Sequence, residues 1–175
     1  YLPNIIETVE SFIATVAVGS IWSSCSPDFG TKGVIERFSQ INPKILIICE
    51  RYFYNGKNIN VIERLPEILK NIKSIKKVII IGYPGKKLTR LKKKFKNIKI
   101  YYWNDILLIK PNSLKFKKFN FEHELAILYS SGTTGKPKCI CHRTGGVLLQ
   151  HLKEHQLHCE IKENDNIFYF TTCGW

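Results

Sequence analysis

The sequence predicts an α/β fold, layered, with a largely parallel sheet and flanking helices. Three observations carry this. Short apolar runs alternate with longer stretches at helical spacing. Residues 44–49, 78–81 and 125–129 are near-continuous apolar runs, as expected of strands covered on both faces. A length of 175 residues with 44% hydrophobic content suits one domain, or part of a larger one.

Each element follows from local pattern. Pro3 opens a first helix, in which Ile6, Val9, Ile13 and Val16 recur at helical spacing, and Gly19 ends it. Residues 21–24 read as a short strand, followed by the turn-rich Ser26-Pro27-Asp28-Phe29-Gly30. Val34, Ile35 and Phe38 carry a second helix at 31–40. After the strand at 44–49, a helix is expected at 60–72 and a strand at 78–81. A basic helix follows at 88–95 and a third strand-like run at 98–103. Residues 110–120 carry Pro, Asn and Ser and read as a connector. The strand at 125–129 feeds directly into a Ser/Gly/Thr loop, and 139–141 resume a strand. Thr144 is positioned to cap a helix running to about His158, and 167–171 close the pattern as a strand.

The formal net charge of +13 points to a polyanion, an acidic membrane or a solvated basic surface. Lysines concentrate between Lys70 and Lys118, without zinc-finger spacing or an aromatic RNA-binding signature. Nucleic acid is therefore not an expected partner, and a solvated lysine-rich surface is. The longest apolar stretch, at 12–22, is too short to span a bilayer, which needs about 20 residues. Cys25, Cys49, Cys139, Cys141, Cys159 and Cys173 mostly lie within or beside apolar runs, as small buried residues do. No signal peptide is visible, and reduced thiols in the cytoplasm are expected. There is no methionine, and Trp175 falls inside an aromatic and apolar run, so an internal fragment is expected.

Several constellations carry no expected chemistry. Cys139 and Cys141 share a strand face beside His142, but no second ligand pair has zinc-site spacing. They read as buried strand cysteines. His151, His155 and His158 share a helix face without a His-Glu-x-x-His pattern, so they read as structural or solvated. His142 either lines a ligand cleft or supports the turn into the next helix. Asp28 and Glu36 form no evident catalytic pair, and no Ser–His–Asp assignment follows from chain order.

The segment Tyr129-Ser130-Ser131-Gly132-Thr133-Thr134-Gly135-Lys136-Pro137-Lys138 is different. A polyphosphate is held by backbone N–H groups, hydroxyl donors and cations on a loop that can approach it closely. Ser130, Ser131, Thr133 and Thr134 bring hydroxyls, and Lys136 and Lys138 bring charge. Gly132 and Gly135 open backbone conformations closed to other residues. The preceding strand puts the loop at a carboxyl-end sheet edge, where open α/β folds place ligands. It is no Walker A loop: only Thr133-Thr134 separate the glycines, Pro137 follows Gly135-Lys136, and the next residues are strand-like. Composition alone equally allows a Ser/Gly/Thr loop without a ligand.

The full string resembles the phosphate-loop signature of the acyl-adenylate-forming (AMP-binding) superfamily. The segment Ile21-Trp22-Ser23-Ser24-Cys25-Ser26-Pro27-Asp28-Phe29-Gly30 is similar to a hallmark of the acetoacetyl-CoA synthetase family within it. Gly33, Arg37-Phe38, Gln40-Ile41 and Pro43-Lys44 continue that resemblance. So do His142, Gly145-Gly146, Leu149, His151-Leu152-Lys153 and Phe170-Thr171-Thr172-Cys173-Gly174-Trp175. From about 51 to 120 no motif is placed.

The resemblance implies part of the large N-terminal domain of an adenylate-forming enzyme, with the C-terminal domain outside residues 1–175. It implies acetoacetate, ATP and CoA as small-molecule substrates, with Mg²⁺ as a companion of ATP. Ser130, Ser131, Gly132, Thr133, Thr134, Gly135 and Lys138 would then serve the β- and γ-phosphates. Trp175 would lie near the acyl and CoA site, or else be a core tryptophan. No catalytic residue and no metal ligand falls within the chain, because the adenine, ribose, hinge and catalytic-lysine motifs of the family lie downstream. The rivals are another short-chain acyl-CoA synthetase and a non-catalytic nucleotide-binding module. The 175 residues alone are expected to have no ligase activity; acetoacetate-dependent CoA-thioester formation by the purified chain would contradict this.

Overall fold

Strands β2 (Ile45–Cys49), β5 (Lys77–Ile81) and β6 (Lys99–Tyr102) form a parallel sheet in the order β2-β5-β6. Pairing from Ile45–Lys77 to Cys49–Ile81 aligns two runs of branched apolar side chains. Leu46, Ile48, Val78, Ile80 and Ile81 are all buried. Val34 and Phe38 of α2 (Thr31–Phe38) and Leu65, Ile68 and Leu69 of α3 (Leu65–Asn71) complete the same core. The i, i+4 spacing of Val34 and Phe38 puts both on one helix face. The structure is a computed structural model and describes all residues except 86, 87, 93, 112, 114, 115, 131–134, 174 and 175.

A second sheet has the order β1-β7-β8, from β1 (Trp22–Ser23), β7 (Glu124–Ser130) and β8 (Lys138–Arg143). β1 runs parallel to β7, and β8 runs antiparallel to it. The expected α/β layering with parallel pairing is present, divided between two sheets, with β8 as the antiparallel member. Helix α1 (Ile6–Ala17) packs Phe12 edge-on against Trp22, with ring centroids 5.8 Å apart. Its apolar stripe nonetheless faces outward: Ile6 is 75% exposed and Ile13 57%. Thr8 and Ser11 turn inward, and each hydroxyl donates at 2.6 Å to a carbonyl of its own segment, Pro3 and Glu7 respectively.

Helix α5 (Thr144–Lys153) continues through one π-helical turn at Glu154–His158, so helical structure reaches His158 as expected. Thr144 is its first helical residue, not its cap, and donates its hydroxyl to the His123 carbonyl at 3.0 Å.

Elsewhere local side-chain bonding overrides the pattern. A hairpin of β3 (Arg51–Tyr54) and β4 (Lys57–Asn60) occupies the start of the helix expected at 60–72. Its turn residues Asn55 and Gly56 have φ of 47° and 70°, the left-handed pair that a tight hairpin requires. Helical structure then starts with a 3₁₀ turn at Ile62–Arg64 and passes into α3.

The expected basic helix at 88–95 is absent among the described residues. The Thr89 N–H donates to the Glu50 carboxylate at 3.3 Å and the Leu91 N–H to the Tyr102 hydroxyl at 2.8 Å, which ties this stretch to partners outside it. Arg90 pairs with Asp105 at 2.6 Å and lies over the Tyr102 ring. The strand expected to reach 103 stops at Tyr102, where α4 (Trp103–Leu107) begins.

Residues 167–171 form no strand; no described strand lies beside them, and Phe168 and Phe170 are 87% and 92% exposed. Cys25 and Cys49 are buried as expected, but Cys139, Cys141 and Cys159 are exposed, because β8 is a sheet edge and Cys159 lies just beyond the π turn.

Gly56→Val is expected to lower the unfolding free energy by about 1–2 kcal/mol, a purely conformational cost. A Cβ built there meets nothing within 4 Å, so no clash contributes. Ile48→Ala, in the core, should cost more, about 2–5 kcal/mol. Urea denaturation of both variants checks the order.

Candidate nucleotide-phosphate site

β7 delivers the Ser/Gly/Thr segment and β8 receives it. Their register pairs Tyr129 with Cys139 and Ser130 with Lys138, so Ser130 and Lys138 face each other at its base. Ser130 is half-buried, while Gly135 and Lys138 are exposed. Gly135 has φ +117° and open space around a built Cβ, so its backbone conformation is what demands glycine. Ser131, Gly132, Thr133 and Thr134 lie outside the described residues, as does Trp175.

Both legs of the segment are held by α2 and β1. The Tyr129 hydroxyl lies 3.1 Å from Ser23 Oγ, and Ser23 donates to the Ile127 carbonyl at 2.8 Å. The Tyr129 ring packs at a tilt on Phe38, with centroids 6.4 Å apart. Burial pushes the Tyr129 phenol far above its ordinary value, so it stays neutral in physiological conditions. The Arg37 guanidinium sits 3.9 Å over the Phe29 ring and 5.9 Å from that of Tyr129. On the other leg, Gln40 Nε2 donates to the Pro137 carbonyl at 2.9 Å.

A second polar loop, residues 24–30, leaves the same edge, because β1 runs parallel to β7. Asp28 anchors it: Oδ1 accepts from the Tyr52 hydroxyl at 2.9 Å and Oδ2 from Ser26 Oγ at 2.7 Å. Burial, then the neighbouring Asp28 carboxylate, push the Tyr52 phenol up to about 12. Arg64 Nη1 donates to the Pro27 carbonyl at 2.8 Å, to the Phe29 carbonyl and to the Tyr1 hydroxyl.

A third segment joins them. Ser24 Oγ donates to the Cys173 carbonyl at 2.7 Å, and Asn4 Nδ2 donates to the Thr171 carbonyl at 2.7 Å. The segments singled out in the sequence around residues 24–30, 129–138 and 171–173 therefore meet at one carboxyl edge.

Tyr52 and Arg64 come from the stretch in which the sequence offered no motif. Asn55-Gly56 between short aromatic and polar runs was the available signal for Tyr52, since it marks a hairpin. Arg64 had no comparable signal. Asp28 is engaged by Ser26 and Tyr52, while Glu36 lies 3.9 Å from Lys32. His142 stands opposite Ala126 toward the α5 end of β8, away from Lys138, in keeping with a supporting role at that turn. His151, His155 and His158 are exposed, and no group of three or more His, Cys, Asp or Glu among the described residues is placed to hold a metal. No helix among the described residues is long and apolar enough to cross a membrane.

Residues 130–138 carry four Ser/Thr hydroxyls, two glycines and two lysines and no carboxylate, a composition suited to binding an anion. Comparison with known proteins agrees in class. The AMP-binding enzyme family model matches residues 1–175, and the chain belongs to that family.

Among its relatives, the chain is 44% identical over 174 residues to the acetoacetyl-coenzyme A synthetase of Rhizobium meliloti (strain 1021), covering 99% of this chain and 26% of that protein. It is 46% identical over 179 residues to the acetoacetyl-CoA synthetase of Gallus gallus, covering 100% of this chain and 26% of that protein. The solved acetoacetyl-CoA synthetase structure from Streptomyces lividans matches with a TM-score of 0.88 at 35% identity, over 100% of this chain and 26% of that one. The chain spans about a quarter of the length of the curated relatives it matches.

Tyr52→Phe is expected to lower stability by about 1 kcal/mol near neutral pH, through loss of the bond to Asp28. The sign with pH is also fixed. A phenol raised in the folded state from 10 to about 12 stabilises fully below pH 10 and loses that contribution as pH rises through 12. The wild-type stability curve should therefore fall more steeply over that window than the Tyr52→Phe curve, as read by urea midpoints.

Proposed function

We propose that the chain is the nucleotide-phosphate portion of an acetoacetate–CoA ligase. On this reading residues 1–175 are part of an AMP-binding N-terminal domain, and a C-terminal domain lies outside them. One observation carries it: the phosphate-loop segment sits at the sheet edge where residues 24–30 and 171–173 also arrive. The substrates are acetoacetate, ATP and CoA. The outward apolar faces of α1 and α5, and the exposed Phe168 and Phe170, support the reading, since the remainder of such a ligase would cover them.

The reaction has two steps. The acetoacetate carboxylate attacks the α-phosphorus of ATP; an acyl–phosphate bond forms and the bond to pyrophosphate breaks. The CoA thiol, losing its proton, then attacks the acyl carbon and expels AMP. Charge grows on the leaving pyrophosphate in the first step, so donors preset around it lower that barrier. Ser130, Ser131, Gly132, Thr133, Thr134, Gly135 and Lys138 take this role for the β- and γ-phosphates. Mg²⁺ bound with the phosphates supplies further charge neutralisation. Trp175 belongs to the acyl and CoA side of the same reading. A cytoplasmic setting accompanies it, where thiols stay reduced and all six cysteines are free.

The complete protein carrying this chain is expected to form acetoacetyl-CoA, AMP and pyrophosphate in equal amounts, and to use acetate and propionate less well. Lys138→Ala should raise KM for ATP about tenfold, the cost of one charge-assisted contact. Thioester formation favouring another acid, or an unchanged ATP KM, would count against the respective part.

A further inference from the structure

Gln40 follows α2 and belongs to neither leg of the phosphate segment. At the end of α2 the Ser39 N–H bonds to Ile35 O, the Gln40 N–H to Arg37 O and the Ile41 N–H to Phe38 O. The backbone of this turn thus passes over the Glu36 carbonyl. The Gln40 side chain takes it instead, with Nε2 2.9 Å from Glu36 O. The same nitrogen lies 2.9 Å from Pro137 O. A primary amide has two N–H donors on one nitrogen, and both are used here. One holds the side chain to the helix, and the other holds the chain one residue before the Ser130–Lys138 pair.

We infer that Gln40 is a positioning residue for the phosphate segment, fixing its outgoing leg so that Lys136 and Lys138 meet the nucleotide phosphates. This rests on the ligase reading for its substrate. α2, which Gln40 follows, also supports the incoming leg, through Phe38 and Arg37 against Tyr129. α2 therefore sets the spacing between the two legs, and Gln40 supplies the bond to the second. Its second bond falls on the phosphate segment alone, so its effect is expected on the nucleotide. A glutamate of the same shape would lose both donors and set a carboxylate against two carbonyl oxygens.

The experiment uses the complete protein, with Gln40→Ala and Gln40→Glu. KM for ATP is expected to rise about fivefold to tenfold, more in the glutamate variant, while KM for CoA and the thermal midpoint stay within error. An unchanged ATP KM overturns the inference. So does an equal rise in the KM values of ATP and CoA with a lowered midpoint, which would make Gln40 only a helix-end residue. ATP binding, measured by isothermal titration without acid or CoA, separates this from the ligase reading. If the wild type forms no thioester, that reading fails, yet weakened ATP binding in both variants still supports the clamp and equal binding still overturns it.

Discussion

The parallel pairing of β1 with β7 is two residues long, Trp22 with Ala126 and Ser23 with Ile127, and the site depends on it. Parallel strands send their following segments off the same edge. The loop after β1 and the segment after β7 therefore start side by side. So short a ladder holds its register weakly by backbone bonds alone. Ser23 reinforces it by donating to the Ile127 carbonyl and lying beside the Tyr129 hydroxyl. A one-residue slip would break both contacts and turn Tyr129 away from Phe38, taking the base of the segment with it.

The β2-β5-β6 sheet builds the brace. Its buried apolar core fixes α2 and α3; Gln40 follows the first and Arg64 precedes the second. Residues 24–30 bury Cys25 and Pro27 and pack Phe29 against the core, and polar partners fix the rest of their shape. Tyr52, Ser26 and Arg64 bond its carboxylate and carbonyls. Each such bond is modest in net terms, but an unmet buried acceptor is expensive, so the partners specify one conformation. The stability of one sheet is thereby converted into the geometry of a loop on the other.

The strands at 44–49, 78–81 and 125–129 were readable because their apolar runs are independent of partners. The helix expected at 88–95 failed for the opposite reason. Its residues Thr89, Arg90 and Leu91 are tied to Glu50, Asp105 and Tyr102, partners outside the segment that no local pattern reveals. Residues 167–171 looked like a strand by composition, yet a strand exists only beside another, and their carbonyls meet side chains such as that of Asn4. For the candidate site, residue types and spacing alone pointed to Ser130, Gly135 and Lys138 as candidates. Tyr52, Arg64 and the second donor of Gln40 needed three-dimensional placement, since each acts on a backbone atom or side chain far along the chain.

On the proposed reading, the antiparallel pairing of β7 with β8 constrains how an anion is bound. Many phosphate sites use the first turn of a helix, where free N–H groups and the dipole favour negative charge. Here β7 turns into β8, and the next helix, α5, begins at Thr144, beyond the far end of that strand. Among the described residues no helix begins at Lys138. On the proposed reading, binding strength comes from hydroxyls, from glycine backbone and from lysine charge, which is the composition of residues 130–138. Contacts from Tyr129 on one side and Gln40 on the other hold the two described ends of that segment.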